Sequence, residues 1–176
     1  MSTHVALLRG INVGGKAVLP MKALAAIFAE AGASGVLTYI QSGNVVFEAE
    51  DSTDAAATVA RVTAEVARVF GYPGRIVLRS AEEWRAAFRG NPFDGPAAAL
   101  HVYFLADKPD AAAVKSLDPD RSPGDTFVVK GREIYLHLPN GMARTKLTNA
   151  YFDTRLKTTS TARNWNTVGK LAEMLG

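Results

Sequence analysis

The chain has no cysteine, which excludes a disulfide framework, a thiolate metal site and a cysteine nucleophile. Long apolar runs are also missing. Every apolar stretch is cut by charge well short of a membrane span, and the opening MSTHVALLRG has no basic segment ahead of an apolar one. These absences read as a soluble, cytoplasmic protein. The three histidines, His4, His101 and His137, stand singly on predicted strands with no second ligand at helical or hairpin spacing. Neither a built-in metal site nor a cofactor is expected. The stretch Gln41-Ser42-Gly43-Asn44 lacks the glycine that a nucleophile elbow carries two residues before its serine, and no carboxylate pair has a defensible glycosidase spacing. The sequence names no catalytic residue and leaves open whether the protein is an enzyme.

What is present is 176 residues, nearly half of them apolar, enough for one sizeable core or two small halves. The net charge of +3 is unevenly placed. Residues 140–176 carry six cations (Arg144, Lys146, Arg155, Lys157, Arg163 and Lys170) against Asp153 and Glu173, a net +4, so the first 139 residues stand at −1. A basic end suggests either an anionic partner or a solvated surface.

Residues 10–17 read GINVGGKA, close to the phosphate-cradling pattern of nucleotide hydrolases, G-x-x-x-x-G-K followed by Ser or Thr. Ala17 has no hydroxyl for magnesium, and Pro20 keeps Leu19 extended, so no helix can continue from Lys16. A nucleotide-hydrolase loop is therefore disfavoured. Glycine amides ahead of a helix can still form an anion-binding concavity, here bracketed by Arg9 and Lys16. The competing reading is that Gly14 and Gly15 only permit a tight turn.

Periodicity predicts a strand at residues 4–9, a helix at 21–31 and strands at 36–41 and 44–48 around a two-residue Ser42-Gly43 hairpin. A helix follows at 53–70, with Ala56, Val59, Ala60, Val62, Val66, Ala67 and Phe70 on its apolar stripe, and a strand at 75–79. This β-α-β-β-α-β order is the ferredoxin-like unit. A short helix at 82–89 and the breaker-rich stretch GNPFDGPAAA lead into a second half: a strand at 100–106, a helix at 109–117, a hairpin around Gly131-Arg132, a helix at 147–157 and a terminal helix at 164–175. The expected fold class is α+β, with two ferredoxin-like α/β sandwich subdomains built on mainly antiparallel sheets. The expected subdomains are residues 1–90, β-α-β-β-α-β, and 91–176, β-α-β-β-α with a terminal helix in place of a last strand. No residue motif repeats between them.

Ferredoxin-like pairing sets the first strand antiparallel to the third, so residues 10–16 and 41–44 should meet at one end of the sheet. Val5-Ala6-Leu7-Leu8, apolar on both strand faces, argues for a sheet covered on both sides. An RNA-recognition domain shares this order, but Phe47 is the only aromatic on its third strand and the other face carries Glu48, so sheet-face RNA binding is not expected.

LRGINVGGK, YIQSGNVVF at residues 39–47 and TARNWNTVGKL at residues 161–171 together resemble the bacterial domain-of-unknown-function family 1697 over essentially the whole chain. The resemblance implies a two-subdomain α+β fold and supplies no reaction, cofactor or catalytic residue.

The motif residues make the candidate ligand site: Arg9, Gly10, Asn12, Gly14, Gly15 and Lys16 in the first motif, Gln41, Ser42 and Asn44 in the second, and Thr161, Arg163, Asn164 and Asn166 in the third. Asn44 also suits a structural tie, since asparagine side chains satisfy nearby backbone groups. Hydroxyls at residues 158–161 read as the approach to a helix N-terminus, capped by Ser160 or Thr161, with Arg163 adding charge. The expected partner is a small anion such as a phosphate, nucleotide or carboxylate. The alternative is nucleic acid held by the basic C-terminal segment. It is disfavoured because Arg155 and Lys157, about 200° apart on a helix, cannot form one stripe.

Overall fold

In the computed structural model, which describes residues 1–10 and 18–176, the chain falls into two compact units. The first comprises Met1–Ala86 and Leu171–Gly176, the second Ala87–Lys170. Each holds a four-stranded antiparallel sheet with helices, so the fold class is α+β, as expected.

The first unit runs β1 (Ser2–Leu7), α1 (Met21–Glu30), β2 (Ser34–Tyr39), β3 (Asn44–Ala49), α2 (Ser52–Phe70) and β4 (Val77–Ser80), followed by α3 (Ala81–Arg89). Its strand order β2-β3-β1-β4 is the ferredoxin-like one. Period-2 alternation sorts the strands. Ala6 and Leu8 of the first, with Val45, Phe47 and Ala49 of β3, pack with Leu24 and Phe28 of α1 and Val62 and Val66 of α2. Val5 and Leu7, on the other face, are equally buried, so both faces of β1 are covered. The α2 stripe is rotated from its expected position: Ala55 and Thr58 are buried, whereas Ala56, Ala60 and Ala67 are exposed. Small alanines leave such a stripe ill-defined, and Arg61 fixes it by donating to Thr58 Oγ1 at 3.2 Å and to Ala31 O at 2.7 Å. Asp51 caps α2 through Asp54 N at 2.9 Å, and a left-handed Gly71 ends it.

The second unit repeats the order: β5 (Leu100–Leu105), α4 (Ala111–Lys115), β6 (Thr126–Lys130), β7 (Glu133–His137), α5 (Asn149–Leu156) and β8 (Ser160–Asn164), then α6 (Trp165–Met174). Its sheet reads β6-β7-β5-β8, the same topology. Tyr103, Leu105, Leu136 and Phe152 lie in its core, where the Tyr103 and Phe127 rings meet Phe152 edge-on at 5.3 and 5.6 Å. The hairpin around Gly131-Arg132 pairs Lys130 with Glu133 across two residues, as expected.

Two further sequence expectations fail. Residues 160–164 form a strand, β8, so the last strand of the second half is present and α6 follows it. The first hairpin pairs Tyr39 with Asn44 across four residues, 40–43, instead of two. Its entry residue, Ile40, has φ +48°, a left-handed conformation rarely taken by a β-branched side chain.

The β1–β4 and β5–β8 strand pairs match residue by residue. Val5 pairs with Arg79 on β4 as Val102 pairs with Arg163 on β8. His4 lies opposite Ser80 and His101 opposite Asn164. Both arginines are buried, and each guanidinium donates to the carbonyl of the preceding residue, Leu78 at 2.9 Å and Ala162 at 2.7 Å. Ser80 Oγ accepts from Glu83 N at 3.1 Å at the start of α3, and Asn164 Oδ1 from Thr167 N at 2.9 Å at the start of α6. The repeat lies in register and geometry, which the sequence hides.

Candidate functional site

The end of β1 sets the first corner. Leu7 pairs with Asn44, and Leu8 N donates to Gly43 O at 2.9 Å, so Arg9 and Gly10 leave the sheet beside the tip of the first hairpin. The expected meeting of these segments holds as far as Gly10. Asn12, Gly14, Gly15 and Lys16 lie outside the described residues. Gly10 is exposed with φ +69°, and open space surrounds the position a side chain would take. The Tyr72 hydroxyl, just beyond the α2 C-cap, donates to Arg9 O and holds the strand's exit in place.

Gln41 and Ser42 are exposed at the hairpin tip, whereas Asn44 is fully buried and its Nδ2 donates to Tyr39 O at 3.1 Å. Asn44 therefore clasps the ends of the four-residue loop.

The third motif is arranged differently from the expectation. Thr161 and Arg163 are buried on one face of β8, with Arg163 Nη1 donating to Thr161 Oγ1 at 2.8 Å. Asn164, on the other face, caps α6, and Asn166 is an exposed residue of that helix. Thr161 thus sits within a strand and not at a helix N-terminus. Ser160 and Thr161 do not cap: Ser160 Oγ donates to Asp153 Oδ1 at 2.6 Å and accepts from Asn149 Nδ2 at 3.0 Å. Arg163, expected to add charge at a helix approach, is instead buried within β8 and hydrogen-bonded, an unusual place for an arginine. On α6, Val168, Leu171 and Leu175 are buried as the apolar stripe requires, and Trp165 stacks on Phe88 at 5.1 Å.

The second unit has an equivalent corner. Leu105 N donates to Arg132 O at 2.8 Å, as Leu8 does to Gly43 in the first. The residues that leave β5 are tied to the start of β8: Asp107 N donates to Thr158 Oγ1, and that hydroxyl donates to Asp107 Oδ2, both at 3.0 Å. Here a cleft of about 480 Å³ opens, with Asp107, Lys108, Asp110, Ser116, Arg155 and Lys157 on its walls.

The sequence dismissed the last two as lying on opposite sides of one helix. In the fold Lys157 has left the helix: it is the C-cap of α5, left-handed at φ +55°, and shares the cleft with Arg155. No helical periodicity could have shown this, because the reversal happens at one residue. The Arg155 guanidinium is held by Ser116 O at 3.3 Å and lies 5.5 Å from the Tyr151 ring centroid. Arg121 stands over the same ring at 4.0 Å.

Other polar groups have structural roles. Among the described residues, no three of His, Asp and Glu are placed to hold a metal ion, and no helix is long and apolar enough to cross a membrane. Burial pushes the Tyr135 hydroxyl up to about 12, helped by Glu133, and the hydroxyl donates to Ala87 O at 2.7 Å. Burial lowers the His101 pKa from the ordinary histidine value, partly offset by a hydrogen bond to the Ala98 backbone.

With this geometry in place, the chain belongs to the family described as "Protein of unknown function (DUF1697)", whose model matches residues 1–135. Among solved structures it is similar to a conserved bacterial protein, SP0830 from Streptococcus pneumoniae. The two are 25% identical, with a TM-score of 0.76 and 99% of each chain covered. No curated protein matches.

Proposed function

We propose that this member of the family binds a small anionic ligand, a phosphate, nucleotide or carboxylate, at the corner of the first unit. The observation that carries the reading is the 2.9 Å bond from Leu8 N to Gly43 O, which seats Arg9 and Gly10 against the polar hairpin tip of Gln41 and Ser42. A guanidinium, a glycine without side-chain obstruction and neutral polar groups are the parts an anion site uses, and hydrogen bonds to an ionised ligand are roughly twice as strong as neutral ones. The glycine-rich segment of residues 10–16 continues from this point in sequence, and Lys16 ends it.

The reading takes Asn44 as a clasp that shapes the loop. It takes Thr161, Arg163, Asn164 and Asn166 out of the ligand shell, since each already has a place in β8 or α6. The left-handed Ile40 at the entry to the hairpin supports it, because strained non-glycine backbone gathers at ligand-binding loops.

The test is a thermal-shift screen of phosphorylated metabolites, nucleotides and small carboxylates on the wild type and on Gln41→Ala and Lys16→Ala variants. A stabilising hit weakened by both substitutions is expected. Hits unaffected by either would remove this corner from consideration.

A further inference from the structure

We infer that the cleft at the end of β5 in the second unit is a separate site for a small phosphomonoester, held by Lys108, Arg155 and Lys157. Three cations line its walls. Of the two carboxylates there, Asp107 is engaged by the Thr158 hydroxyl at 3.0 Å, while Asp110 offers an acceptor for a hydroxyl or amine elsewhere on the ligand. A phosphate dianion suits three cations better than a monovalent carboxylate does, and a guanidinium presents it with paired donors. Arg155 is already oriented by Ser116 O and the Tyr151 ring, so little freedom is lost on binding. The volume, about 480 Å³, falls within the range of small-molecule pockets, roughly 300–1,000 Å³.

The strongest pointer is Lys157. The equivalent helix of the first unit, α2, ends on a left-handed glycine, Gly71, the residue this conformation favours. The second unit places a lysine there at φ +55°, against the steric preference of the backbone. A residue that opposes its own backbone preference and brings a cation to the wall of a cleft has its explanation in the ligand.

This separates structure from function in one substitution. Lys157→Gly relieves the backbone and removes the charge, so the unfolding midpoint should rise by roughly 2–4 °C. Affinity for inorganic phosphate, measured by calorimetry at low ionic strength, should fall by at least about tenfold. Glycerol phosphate, which adds hydroxyls for Asp110, should bind wild type more tightly than inorganic phosphate does, and Asp110→Asn should narrow that difference. Arg68→Ala, which removes an exposed first-unit cation outside both candidate sites, should leave both affinities unchanged. The inference fails if wild type shows no saturable phosphate binding, if Lys157→Gly folds normally and binds phosphate as well as wild type, or if Arg68→Ala weakens phosphate binding as much as Lys157→Gly does.

Discussion

The two hairpins occupy the same place in two sheets of the same topology and are built in opposite ways. In the second unit, Gly131-Arg132 closes β6 and β7 in two residues, with the left-handed conformation at Gly131, φ +57°, where it is least costly. In the first, residues 40–43 bulge into four, with Ile40 in a left-handed conformation at the entry, Gly43 at the exit and a buried Asn44 amide clasping Tyr39 O. The helix ends invert the pattern: α2 stops on Gly71 and α5 on Lys157. Among the described residues, Ile40 and Lys157 are the only non-glycine positions with positive φ. Each unit therefore departs from the economical solution once, where its twin keeps it. Both departures adjoin a candidate site, as expected when sheet and core supply stability and loops supply recognition.

If the units are equivalent frames, equivalent core rings should cost the same to remove. Phe47 meets Phe28 at 5.2 Å, and Phe152 meets Tyr103 at 5.3 Å; both phenylalanines are fully buried. Phe47→Ala and Phe152→Ala should each lose about 3–5 kcal/mol. Urea denaturation measures the loss, and amide exchange should show it in the strands of the mutated unit. A loss below about 1 kcal/mol in one variant would break the equivalence.

A smaller effect of opposite sign separates the hairpins. Ile40→Gly relieves a left-handed β-branched residue that is 49% exposed, and should stabilise by about 1 kcal/mol after the added flexibility of the unfolded chain is counted. Gly131→Ala puts a side chain on a left-handed backbone with nothing within 4 Å, so it should destabilise by about 1 kcal/mol through backbone conformation alone. Thermal melts of both variants check the signs. If Ile40→Gly is destabilising, packing of the Ile40 side chain outweighs strain, and the first hairpin is structural.

The frame was legible in the sequence where one local rule held. Gly131-Arg132 follows the turn rule, and residues 147–157 show the helix that forms α5 from Asn149 to Leu156. The frame was hidden where tertiary packing overrode a rule. Residues 40–43 contain the turn signal Ser42-Gly43, but the turn opens two residues earlier, at an isoleucine whose intrinsic preference is for strand. Residues 160–164 have the hydroxyls, amide and arginine of a cap or loop. They form β8 because Ala162 packs toward the second core while Arg163 is buried with its guanidinium on Thr161 Oγ1 and Ala162 O. At the first corner, strand pairing alone brings Arg9 and Gly10 to the hairpin that carries Gln41 and Ser42. The cleft of the second unit was not legible, since it depends on one lysine changing backbone region at a helix end.

The smallest expected effect concerns the twin histidines. His4 and His101 hold equivalent positions, both rings are buried, and the Nε2 of each has no hydrogen-bond partner. For His101, burial lowers the pKa below the unfolded value of 6.5, and the hydrogen bond to Ala98 offsets only part of this. The unfolded chain therefore binds a proton more readily than the fold does in that pH range, and stability must decrease as protons are added. The contribution is fully present above the ordinary value of 6.5 and is lost as pH falls through the lower folded value. His101→Leu keeps an apolar side chain of similar size on the core face and removes the titration. Its stability relative to wild type should therefore increase between pH 8 and pH 5, values chosen to bracket roughly the unperturbed histidine range. The measurement is urea denaturation of both proteins at the two pH values. A difference that stays constant with pH would mean that His101 can gain a proton without cost, and that its ring reaches an acceptor or solvent when charged.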